Sequence, residues 1–121
     1  MDYFIRNAGN LIYIEITDPS FVIDNEQDSL DLAALCGENF VGRLLINKEN
    51  LPDKFFDLKT GLAGAVLQKF STYRIKCAAI VPVEKIKGRF REMVIETNRG
   101  NQFRVFTAKE EAEKWIGGAK L

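Results

Sequence analysis

The sequence predicts an α/β fold whose elements run β-β-α-β-α-β-α-β-α, forming a mixed, mostly parallel sheet with one antiparallel strand. Three observations carry this expectation. Short runs rich in β-branched and aromatic residues recur along the 121-residue chain. The later runs are separated by segments with apolar residues at i, i+3, i+4 and i+7, the spacing of one helix face. Strands joined through helices of that length pair in parallel through right-handed crossovers.

The first two runs, Tyr3-Phe4-Ile5 and Leu11 to Ile16, flank Asn7-Ala8-Gly9-Asn10 and read as a hairpin, because Asn and Gly tolerate the positive φ of tight turns. This hairpin supplies the antiparallel strand, at a sheet edge. Ile12, Ile14 and Ile16 alternate onto one face, expected to be the core face. Asp18-Pro19-Ser20 breaks the strand.

Asp24 and Gln27 have the spacing of a capping box, and Asp28 adds a negative charge to the first helical turn. The stripe Leu30, Ala33, Ala34, Gly37 predicts the first helix, with Gly37 as its stop. Arg43-Leu44-Leu45-Ile46-Asn47 is almost continuously apolar, as expected of a strand covered on both faces. A loop over Lys48 to Asp57 contains Pro52 and one helical turn at Lys54-Phe55-Phe56.

A longer helix is expected from near Leu58 to Thr72, with Ala63, Val66, Leu67 and Phe70 inward. Its small residues Gly61, Gly64 and Ala65 suggest close approach to the sheet or to a second subunit, since a helical Gly otherwise costs about 1 kcal/mol. Ile75 to Val81 reads as the next strand, and Phe90, Met93, Val94 and Thr97 mark the following helix. Phe103 to Phe106 is the last strand. Lys109 to Ile116 is the closing helix, with Ala112, Trp115 and Ile116 inward. No repeat, linker or low-complexity stretch appears, so one domain over residues 1–121 is expected.

Composition narrows the function. The 17 Lys and Arg balance 17 Asp and Glu, which argues against general nucleic-acid binding. The absence of His removes His-based zinc sites and Ser-His or Cys-His nucleophile pairs. No metal, cofactor or catalytic residue is assigned. Asp57 or Glu84 as a general base lacks any supporting pattern. Cys36 and Cys77 lie among apolar neighbours and read as buried thiols. No run approaches the roughly 18–20 apolar residues of a membrane span. Met1 to Asn10 lacks a signal-peptide core, and a cytoplasmic location is expected. Met1 to Asp57 holds 4 basic against 11 acidic residues, and Leu58 to Leu121 holds 13 against 6; interleaving of the halves in one sheet is expected to mix these charges.

The segments EQDSLDL (Glu26 to Leu32), FFDLKTGLAG (Phe55 to Gly64), LQKFSTYRIK (Leu67 to Lys76), GRFREM (Gly88 to Met93) and NRGNQFRVF (Asn98 to Phe106) resemble, in order, an uncharacterised bacterial family catalogued as domain of unknown function 4180. That resemblance implies no chemistry, because no activity is assigned to the family. The element order is also similar to the STAS fold of sulfate-transporter and anti-sigma-factor-antagonist domains. In those, a Ser or Thr before a Gly opens the helix after a central strand, and a partner kinase phosphorylates it to release a partner. Thr60-Gly61-Leu62-Ala63 is similar to that pattern. Leu58 and Lys59 depart from it, and Asp57 stands one place further off than the family's Asp.

Thr60 is the sharpest candidate, since a hydroxyl at a helix N-terminus lies near unpaired N–H groups that suit a phosphate. Simple helix capping by Asp57 or Thr60 accounts for the same residues. The rim at the carboxyl ends of the strands, where ligands of open α/β sheets usually sit, is expected to carry Asn47, Lys48, Asp57, Lys59, Thr60, Glu84 and Thr107. The basic residues Arg74, Lys76, Lys85, Lys87, Arg89 and Arg91 read as a solvated face, with binding of phosphate or an acidic partner as the alternative. Arg99 is a weak anion-site candidate.

The function expected first is a small regulatory or adaptor domain that docks a protein partner through Asn47, Asp57, Lys59, Thr60 and Gly61. Second comes a binder of a small polar or lipid ligand on the same rim, and third an enzyme of unknown reaction. The small-residue helix face points to a homodimer.

Overall fold

A computed structural model describes residues 1–7 and 10–118 of the chain. The turn expected at Asn7 to Asn10 centres on residues 8 and 9, which lie outside the described residues. The strands β1 (Tyr3–Asn7) and β2 (Ile12–Ile16) pair antiparallel, with Ile5 opposite Ile14. The strands β3 (Arg43–Ile46), β4 (Lys76–Ile80) and β5 (Phe103–Phe106) follow in parallel, and the sheet order is β1-β2-β3-β4-β5. The mixed α/β sheet expected from the sequence is therefore present, with its single antiparallel strand at an edge.

Because each parallel strand lies beside the one before it, the sheet grows in one direction. Right-handed crossovers must then place all their helices on the same face. Helices α1 (Glu26–Asn39), α2 (Asp53–Phe56), α3 (Leu62–Thr72) and α4 (Gly88–Thr97) cover that face. Leu32, Phe55, Val66, Phe70 and Phe90 pack there on Ile14, Ile16, Leu44, Ile46, Cys77 and Val105. The second face receives α5 (Lys109–Ile116), whose Ala112, Trp115 and Ile116 pack on Tyr13, Leu45, Ala78, Ile80 and Phe106. Each large apolar side chain buried this way contributes about 1.5–3 kcal/mol. Leu44, Leu45 and Ile46 are all buried because β3 is central and covered on both faces. Cys36 and Cys77 are buried free thiols. No helix among the described residues is long and apolar enough to cross a membrane.

Local differences from the sequence reading have physical causes. The N-cap of α1 is Asn25, not Asp24: Asn25 Oδ1 accepts from Asp28 N–H, and Asp28 Oδ2 accepts from Asn25 N–H. Gly37 does not stop α1, which runs to Asn39 and closes on Phe40 in the left-handed region at φ 56°. Ile12, the first residue of β2, is half-exposed, whereas Ile14 and Ile16 are buried as expected. Arg74 precedes β4 in the left-handed region at φ 57° and is exposed.

The helix expected from Leu58 is split. Leu58–Thr60 forms a 3-10 turn, Gly61 takes φ 77°, and α3 starts at Leu62. A Cβ at Gly61 or Gly64 would meet no atom within 4 Å, so the expected close approach of this stripe to the sheet is absent. Gly61 answers to its backbone angle. Ala63, fully buried, makes the inward contact instead.

Candidate functional site

The second face is asymmetric. Helix α5 packs on β3, β4 and β5, which leaves the flank of β2 to be closed by side chains. Glu15 stands on that flank, next to Tyr13 on the same face, and its side chain is only 1% exposed. A buried carboxylate is costly unless paired and hydrogen-bonded. Here Arg6 Nε donates to Oε1 at 2.6 Å, while Lys109 Nζ and Asn47 Nδ2 donate to Oε2 at 2.7 and 2.9 Å. Burial alone would raise the Glu15 pKa, but the Lys109, Asn47 and Arg6 donors outweigh it and hold the carboxyl below its ordinary value.

Four elements build this cluster: β1 supplies Arg6, β2 Glu15, the exit of β3 Asn47, and the start of α5 Lys109. The loop after β3 is fixed by a second polar residue. Buried Asn50 donates through Nδ2 to the carbonyls of Asp18 and Phe21 at 2.9 and 2.8 Å, and its Oδ1 accepts from Asn47 N–H. Asn47 Nδ2 also donates to Ile16 O at 2.9 Å. The exits of β2 and β3 are thereby held together, as the missing backbone ladder beyond their ends requires.

Above these residues lies a cavity of about 560 Å³ whose walls carry Arg6, Lys48 and Lys109 together with the carboxylates Glu15, Asp18 and Glu49. It sits at the carboxyl ends of β2, β3, β4 and β5, where Ile16, Asn47, Ile80 and Thr107 meet it. The Arg6 and Lys109 side chains are 40% and 48% exposed. Each spends one N–H on Glu15 and keeps others for a molecule in the cavity. Tyr13 lies below the cluster, where burial and its hydrogen bond to Glu113 push the phenol up to about 12. It stays neutral at physiological pH.

Of the residues proposed from sequence for the rim, Asn47, Lys48 and Thr107 reach this cavity, whereas Asp57, Lys59, Thr60, Gly61 and Glu84 do not. Thr60 and Gly61 instead border a smaller cavity of about 220 Å³ with Asp24, Asn25, Glu26 and Lys54. Thr60 Oγ1 shares its one O–H between the carbonyls of Lys54 and Asp57 and accepts from Leu62 N–H at 3.3 Å. Asp57 Oδ1 accepts from Lys59 N–H, capping the 3-10 turn. Glu84 is exposed on a 3-10 turn over Val83–Lys85. Among the described residues no group of His, Cys, Asp and Glu is placed to hold a metal ion.

Glu15, Arg6 and Lys109 escaped sequence reasoning. The one local signal was a carboxylate inside the apolar strand Ile12-Tyr13-Ile14-Glu15-Ile16, on the face opposite that of Ile12, Ile14 and Ile16. A family model described as Domain of unknown function (DUF4180) matches residues 8–116. No curated protein and no solved structure matches the chain.

Proposed function

The chain belongs to this family of unknown function, and we propose that it binds a small polar molecule bearing a carboxylate in the cavity above Glu15. The observation that carries this reading is the sharing of one buried carboxylate by two cations at the cavity wall. Glu15 holds Arg6 and Lys109 in fixed positions, and their unspent N–H donors supply the charge-assisted bonds that recognise an anion. Binding rather than turnover fits the donor set, in which the carboxylate is saturated by cations and the phenol of Tyr13 is neutral.

The test is calorimetric titration of the full chain with a panel of amino acids and dicarboxylic acids. A member that binds saturably, and loses about tenfold or more in affinity in Lys109→Met, supports the reading. Failure of every member to bind, or binding unaffected in both Lys109→Met and Arg6→Gln, overturns it.

A second reading, docking of a protein partner controlled by a phosphate on Thr60, is favoured by one observation: Thr60 is exposed and directly precedes Gly61 at the start of α3. Intact-mass analysis of protein purified from its host checks it. An unmodified chain whose Thr60→Glu variant captures the same partners as the parent removes that reading.

A further inference from the structure

Three cations gather at the opposite end of the sheet from the cavity, on the face that carries α5. Arg43 and Lys76 open β3 and β4 and are register partners, while Arg104 is the second residue of β5. Alternation places them on the face of Leu45, Ala78 and Phe106. All three are half-buried, and Lys76 and Arg104 stand over the ring of Trp115, which is 6% exposed. Lys76 Nζ lies 4.5 Å from the centre of the Trp115 ring and Arg104 Cζ 5.2 Å from it. Arg43 Nε donates to Ile116 O at the end of α5.

This cluster is charge-unbalanced. Among the described residues no carboxylate forms an ion pair with Arg43, Lys76 or Arg104, although ion pairs take up Arg6, Lys54, Lys69, Lys85, Arg99 and Lys109 elsewhere. The negative end of α5 offsets only about half a unit charge, and the Trp115 face adds a weak attraction. Burial, Arg43 and Arg104 together hold the Lys76 ammonium below its ordinary value, as expected where like charges crowd without a counter-ion.

Donors are also in surplus. Arg104 spends Nε on Gly100 O and one terminal nitrogen on Asn101 Oδ1, while among the described residues no acceptor takes the Lys76 ammonium. Gln102 lies beside Lys76 along the sheet edge, its carbonyl accepting from Cys77 N–H, and its buried Nε2 has no acceptor among the described residues.

We propose that Arg43, Lys76 and Arg104, the last two over the Trp115 ring and Arg43 beside Lys76 in register, form a binding site for a phosphate-class oligoanion, distinct from the rim cavity. Arginine forks and a lysine point charge over an aromatic floor are the groups that recognise phosphate oxygens. A diphosphate supplies the missing negative charge and enough acceptors for the unspent donors. The anion is a free pyrophosphate or the diphosphate of a nucleotide, which share this chemistry.

The experiment is titration of the full chain at low ionic strength with sodium pyrophosphate and, separately, with ADP, read by calorimetry and by the fluorescence of Trp115, the one tryptophan in the chain. Saturable binding that changes Trp115 emission is expected. Arg104→Gln and Lys76→Met keep the stems that cover Trp115, and each is expected to weaken binding about tenfold or more. Lys109→Met, at the rim, is expected to leave it unchanged. Unaltered near-ultraviolet circular dichroism certifies that the variants fold. Should one fail to fold, the other and the emission change of the parent protein still decide. ADP binding lost in Arg104→Gln, with weaker pyrophosphate binding, assigns the diphosphate to a nucleotide. Absence of binding by both anions, binding that survives both substitutions, or equal loss in Lys109→Met overturns the proposal.

Discussion

Replacing Glu15 by Gln should destabilise the protein by about 2 kcal/mol at pH 7, and the deficit should shrink in acid. The substitution keeps the shape and one acceptor but removes the charge that Arg6 and Lys109 share. A buried hydrogen bond to a charged group is worth about 1.5–3 kcal/mol net, and two are weakened here. The two cations are 40% and 48% exposed, so water recovers roughly half of what they lose. For 121 residues, an unfolding entropy of about 0.25 kcal/mol/K turns 2 kcal/mol into a fall of about 8 °C in midpoint.

The pH dependence follows from the lowered Glu15 pKa. With an ordinary value of 4.5, the unfolded chain takes up this proton first as pH falls. The Glu15 contribution is thus complete above about pH 4.5 and is lost as pH drops through the folded value. Urea unfolding followed by Trp115 fluorescence, at pH 7 and near pH 3.5, measures both effects. A variant as stable as the parent at pH 7, or a gap that stays constant on acidification, would refute the argument that Glu15 is a charged, cation-held group.

Other substitutions probe other links. Asn50→Ala should cost about 3 kcal/mol, because it orphans the Asp18 and Phe21 carbonyls and the Asn47 N–H at once; chemical denaturation gives the number, and a loss under 1 kcal/mol contradicts the stapling role. Phe40→Gly should stabilise by about 1 kcal/mol, since Phe40 is 94% exposed and sits at φ 56°, a conformation that costs non-glycine residues about 1–2 kcal/mol; a lower midpoint would show that the ring makes a contact worth more than the strain. Burial pushes the Cys36 thiol up to about 11 and holds that of Cys77 well above its ordinary value. Neither should react with a thiol reagent at pH 8 until urea unfolds the chain, and rapid labelling of the native protein would disprove their inertness.

Alternating periodicities made the secondary structure legible because each element buries one face, and that period is written locally. The closing helix shows this best, with Ala112, Trp115 and Ile116 buried as the spacing requires. The start of α3 was less legible. Asp57, Lys59, Thr60 and Gly61 suit both a helix N-terminus and a 3-10 turn, and the choice rests on hydrogen bonds such as that from Thr60 to Lys54 O.

The sequence by itself determined which segments are strands and helices, that most strands run parallel, and that one edge is antiparallel. Side-chain period and crossover handedness are enough for that. Only the tertiary structure decided where the charged groups meet. The partners of Glu15 lie 9, 32 and 94 residues away along the chain. Arg43, Lys76 and Arg104 likewise come from three different strands. Contacts between residues so far apart leave no local pattern, because a side chain's neighbours across a sheet are set by strand order and register, which exist only once the chain has folded.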